Sequence, residues 1–98
     1  MARYKLTRKA KEDLKEIWKY TALNWSESKA DLYYERFFIA FDHISSYPKL
    51  VGTDYSEVID GLYGYPFQRH IIMYMVEDSR TVILRILHQR MDIKSRFQ

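Results

Sequence analysis

The sequence predicts an α+β domain. An N-terminal strand leads into an antiparallel helical hairpin, and a three-stranded antiparallel sheet follows, joined by the first strand. Three observations predict it. Residues 8–24 and 27–46 carry apolar side chains at helical spacing. Residues 62–67, 69–76 and 81–87 are rich in strand formers and are separated by turn residues. The helical stripes are too wide for two helices to bury against each other, and one face of a sheet covers them.

Each element has its local reason. Arg3-Tyr4-Lys5-Leu6-Thr7 alternates polar and apolar, as a short strand does. Thr7 then caps a helix by accepting a hydrogen bond from a first-turn N–H. Ala10, Leu14, Ile17, Trp18, Thr21 and Trp25 form its stripe. Asn24-Trp25-Ser26 breaks the helix, and Ser26 caps the second one. That helix carries Ala30, Tyr33, Phe37, Ala40, Phe41 and Ile44, widened by Tyr34 and Phe38. Pro48 stops it. So short a link makes the two helices antiparallel. Residues 49–60 are expected to be loop.

Gly64 and Pro66 mark residues 62–67 as an edge or bulged strand. Arg69–Val76 is apolar on both faces and predicts a central strand. Glu77-Asp78-Ser79-Arg80 is a turn, and Thr81–Leu87 completes a hairpin. A basic tail runs from about His88 to Gln98.

Composition bounds the function. At 98 residues, 1–98 is expected to be a single domain. An apolar content of 47% and an aromatic content of 16% exclude a disordered chain. The absence of cysteine excludes disulfides and thiolate metal sites and fits the cytoplasm. Neither a secretory leader nor a membrane span is expected, because Met1-Ala2-Arg3-Tyr4-Lys5 leads into charge. The net charge of +3 hides a division: residues 1–20 carry +4, 21–84 carry −4 and 85–98 carry +3. If the fold brings the ends together, they form one basic face.

Chemistry-bearing clusters are few. His43, His70 and His88 are far apart in sequence and make no metal-ligand pattern. No serine lies in a nucleophile elbow, and the three glycines match no phosphate loop, so neither cofactor nor metal is expected. The remaining cluster is Arg69, His70, Tyr74, Arg85, His88, Gln89 and Arg90. Such residues suit metal-free RNA cleavage, with a base, an acid and phosphate-holding cations. They equally suit a binding surface, and Arg85 equally suits an ion pair with a nearby acid. The aromatic stripe of Tyr33, Tyr34, Phe37 and Phe38 reads two ways, as core or as a groove for a partner helix.

Leu6 to Thr21 is similar to the opening strand and helix of the ParE toxins of bacterial type II toxin–antitoxin modules, within the RelE/ParE superfamily. Trp25 and Tyr47-Pro48 also resemble that pattern, as do the blocks RHIIMYMVED (69–78) and RILHQRMD (85–92). The resemblance implies a RelE-like fold and a growth-arresting toxin that inhibits DNA gyrase without being a catalyst. It implies a ParD-like antitoxin as partner, and the surplus width of the aromatic stripe makes Tyr33, Tyr34, Phe37 and Phe38 the candidate groove for it. On that reading the basic strand end and tail, Arg69, Arg85, His88, Gln89, Arg90 and Met91, form the target surface, with direct nucleic-acid contact left open. The alternative is the RelE activity, a ribosome-dependent and metal-independent mRNA endoribonuclease using His88, Arg90 and Arg69. Against that alternative, the register of the RelE arginine falls near Ile71, and no tyrosine follows Tyr74.

Overall fold

The computed structural model describes residues 3–97. Met1 and Ala2, the start of the expected domain, and Gln98, the end of the basic tail, lie outside them. Strand β1 (Tyr4–Leu6) leads into helix α1 (Arg8–Asn24), and helix α2 (Glu27–Ser46) returns antiparallel to it. Both helix starts follow the sequence. Thr7 Oγ1 accepts from Ala10 N–H and Ser26 Oγ accepts from Lys29 N–H. The indole N–H of Trp18 donates to Asp31 Oδ1 at 2.9 Å and pins the helices together.

After α2 come a short helix α3 (Pro48–Val51), strand β2 (Thr53–Asp54), and strands β3 (Tyr63–Phe67), β4 (His70–Glu77) and β5 (Arg80–His88). A last turn of helix, α4 (Ile93–Arg96), follows. The sheet order is β1-β5-β4-β3-β2, with β1 parallel to β5 and every other pair antiparallel.

Three details differ from the sequence reading. Pro48 ends α2 but also opens α3, since a proline at a first helical position lacks only an N–H that would go unbonded there. The expected loop holds β2, a strand too short to show a period. That strand pairs with Tyr63 and Gly64 alone, so Pro66 lies on the open edge, where its missing N–H costs no ladder bond. The irregularity of the sheet lies between β4 and β5. The register shifts at Met73/Tyr74 and leaves Leu84 unpaired. Thr7 Oγ1 donates to the freed Leu84 carbonyl at 2.8 Å, so the cap of α1 also stitches the bulge.

The sheet is covered on both faces. Ile72, Tyr74, Ile83 and Ile86 meet Leu14, Phe37, Phe41 and Ile44 of the helices. Leu62, Met73 and Leu87 form a second cluster under Ile93 and Phe97, so the tail folds back on the sheet. The fully buried Tyr74 donates its hydroxyl to the Pro48 carbonyl at 2.5 Å. Burial, with Tyr63 and Tyr65 nearby, pushes its pKa up to about 12. The basic chain ends do not converge through β1. It pairs with Thr81–Ile83, whereas the tail leaves β5 at His88, roughly 17 Å further along the strand.

Candidate functional site

The β3–β4 hairpin closes over two residues, Gln68 and Arg69, with φ of 49° and 64°. This left-handed backbone favours glycine or asparagine, so two larger side chains store strain here. Three bonds hold the turn. Tyr33 Oη donates to the Gln68 carbonyl at 2.6 Å, His70 Nδ1 lies 2.8 Å from the same oxygen, and Gln89 N–H donates to the Arg69 carbonyl at 2.9 Å. The turn thereby faces the connected end of the helical hairpin, around Trp25, across a cleft of about 580 Å³. Ile17, Tyr20 and Thr21 of α1 and Trp25 line one side, and Lys29 and Tyr33 belong to α2. Arg69, His70 and His88 form the sheet side.

His70 and His88 are register partners on β4 and β5, with ring centroids 5.5 Å apart. Burial is the main cause lowering the His70 pKa, and His88 adds to it. The Gln68 carbonyl and Asp13 oppose the shift. Burial raises the Tyr33 pKa, partly offset by Arg69.

Of the six residues expected on the target surface, Arg69 and His88 line this cleft. Gln89, Arg90 and Met91 turn away from β5 beside it, all exposed, with Met91 N–H bonded to the His88 carbonyl. Arg85 is engaged elsewhere. Its Nε and Nη2 donate to Asp13 Oδ2 and Oδ1 at 2.8 and 3.1 Å, and Ile86 N–H donates to Oδ2 at 2.9 Å. Asp13 is the acid that the sequence did not single out. The hydrogen bonding raises the Arg85 pKa.

The aromatic stripe of α2 divides. Phe37 is wholly buried, so it belongs to the core and cannot meet a partner as expected. The reason is geometric: it sits edge-on to Phe67 at 5.1 Å, on the face turned to the sheet. Tyr33 is half-buried and holds the turn. Tyr34, exposed, and Phe38, half-buried, pair at 5.0 Å. Tyr34 borders a shallow depression with Trp18, Lys11, Lys15 and Lys19 of α1. Sequence spacing missed the roles of Tyr20, Trp25 and Lys29, because only the packing of the hairpin brings them opposite β4. Among the described residues, no cluster of three potential metal ligands occurs. No described helix is long and apolar enough to cross a membrane.

A strand, a helical hairpin and a sheet in this order are the arrangement that the resemblance to the RelE/ParE class of small toxins implies. Within that class the profile of the ParE toxin of the type II toxin–antitoxin system parDE matches residues 4–93, and the chain belongs to that family. It is 31% identical over 93 residues to Toxin ParE1 of Mycobacterium tuberculosis, covering 94% of each chain. It is 30% identical over 95 residues to Toxin ParE1 of Caulobacter vibrioides, covering 97% of each. A solved structure described as the chromosomal ParDE TA system from P. aeruginosa shares the fold. Its TM-score is 0.77 at 21% identity, over 90% of this chain and 96% of that one.

Proposed function

We propose that this ParE toxin acts in the cytoplasm by inhibiting DNA gyrase, without itself being a catalyst, and is silenced by a ParD-like antitoxin. The observation that carries this reading is the family match across residues 4–93. The free basic end of the sheet supplies a surface for the target. Arg69, Gln89, Arg90 and Met91 are exposed there beside His88, and Arg85 serves by holding β5 against α1 through Asp13. Tyr34, beside the lysines of α1, and Phe38, paired with it, suit an antitoxin helix with an apolar stripe and acidic flanks.

Expression without antitoxin tests the reading. The expected outcome is arrested replication with persistent DNA breaks and intact mRNA, reversed by co-expressing the neighbouring antitoxin gene. Codon-linked mRNA cuts that vanish with His88→Ala would transfer the assignment to the endoribonuclease alternative. Unimpaired growth would remove toxicity altogether.

A further inference from the structure

The backbone fixes which nitrogen of each cleft histidine carries the proton. A carbonyl oxygen only accepts and an N–H only donates. His70 Nδ1 faces the Gln68 carbonyl, so Nδ1 carries the proton, and in the neutral ring Nε2 offers a lone pair. His88 Nδ1 accepts the Arg90 N–H at 3.2 Å, so there Nε2 carries the proton. Two residues of one type, paired across β4 and β5, are thus held in opposite tautomers. Among the described residues, one leaves an acceptor free and the other leaves a donor free.

The rest of the lining holds two cations, Lys29 and Arg69, the aromatic rings of Tyr20, Trp25 and Tyr33, the smaller Ile17 and Thr21, and one acid, Glu16, whose carboxylate lies 4.0 Å from the Lys19 ammonium. Arg69 is exposed on the strained turn. The Lys29 ammonium lies 5.6 Å from the Trp25 ring centroid. Trp25 and Tyr20 stand edge to face at 6.4 Å and are 60% and 63% exposed, so most of both rings is unused by the core. Two cations and an imidazole N–H suit a phosphate. A lone pair beside them suits a neighbouring hydroxyl, and exposed aromatic faces suit a base. A simple anion leaves the rings and the His70 lone pair without a partner, whereas a nucleotide meets all three groups. A cleft of about 580 Å³ lies within the size range of small-molecule sites.

We propose that this cleft binds one nucleotide unit. The phosphate lies against Arg69, Lys29 and His88, a ribose hydroxyl donates to His70, and the base stacks on Trp25 and Tyr20. The site shares Arg69 and His88 with the proposed target surface, but it concerns a small ligand of the toxin alone, so its test does not depend on gyrase inhibition.

Titration of the full-length ¹⁵N-labelled chain with adenosine 3′-monophosphate tests it, with inorganic phosphate and adenosine as separate arms. The nucleotide should give saturable shifts at His70, His88 and the Trp25 indole. It should bind at least about tenfold tighter than either fragment, because each half contributes. Lys29→Ala and Trp25→Ala alter exposed side chains and keep the fold, checked by circular dichroism. Each should weaken binding about tenfold. A short single strand ending in the same 3′-phosphate separates two sources of the ligand. Tighter binding of the strand identifies a strand end, equal binding identifies a free nucleotide, and both uphold the site. No saturable shift at millimolar nucleotide, equal binding of phosphate alone, or variants that bind like the parent would overturn it.

Discussion

Replacing Asp13 with alanine removes the acceptor of three hydrogen bonds at once. The two side chains of the pair keep only 17% and 20% of their surface exposed, so Arg85 would be left as a largely buried cation. Breaking a fully buried pair from one side costs about 3–5 kcal/mol, and the remaining exposure places Asp13→Ala near the low end, about 3 kcal/mol. For a domain of this size that corresponds to a midpoint lowered by roughly 12–24 °C. Arg85→Met keeps the side-chain stem and leaves Asp13 the Ile86 N–H, so it should cost less, about 2 kcal/mol. The double variant should fall short of the sum by about 1 kcal/mol or more, because neither charge is then stranded. Urea unfolding followed by far-ultraviolet circular dichroism measures all three, compared at unchanged m-value. Losses below about 0.5 kcal/mol, or an additive double variant, would refute the assignment of Arg85 to positioning β5 on α1.

Three further outcomes are expected. A Cβ at Gly52 would lie 2.0 Å from the Tyr74 hydroxyl oxygen, which is bonded to Pro48, so Gly52→Ala should cost about 2–3 kcal/mol in urea unfolding; a loss under about 0.5 kcal/mol contradicts the packing. The folded-state pKa of His70 is lowered from its usual 6.5, so the unfolded chain binds more protons just below that pH. Stability should therefore be full above about pH 7, fall as pH drops through 6.5, and level off below the folded pKa. Melting curves should show this, His70→Gln should flatten it, and a midpoint that rises on acidification contradicts it. Tyr34→Ser and Phe38→Ser should each weaken antitoxin binding about tenfold or more by calorimetry, whereas Phe37→Ala should cost about 3–5 kcal/mol of stability. Unchanged affinity in the two serine variants would clear α2 of that role.

The elements were legible where local chemistry decides them. Thr7 and Ser26 are capping residues followed by clean helical stripes, and α1 and α2 start as those caps require. The alternation of Ile71, Met73 and Met75 against Ile72 and Tyr74 matches the two packed faces of β4. What was not legible depends on distant partners. Strand β2 exists only because Tyr63 and Gly64 lie beside it, and the bulge at Leu84 answers a hydroxyl from Thr7. Stripe width could not separate Phe37, turned to the sheet, from Tyr34, turned to solvent. The cleft joins residues 16–33, 69–70 and 88, which no spacing rule connects. Arg69, His70 and His88 were visible as a basic cluster, but the aromatic wall opposite them was not.

Supercoiling of relaxed plasmid by purified gyrase, with increasing amounts of the purified chain, tests the central claim most directly. Gyrase inhibition predicts loss of supercoiling with accumulation of cleaved plasmid, restored by adding the antitoxin. Full supercoiling at a large molar excess of folded toxin, with no cleaved product, would contradict it.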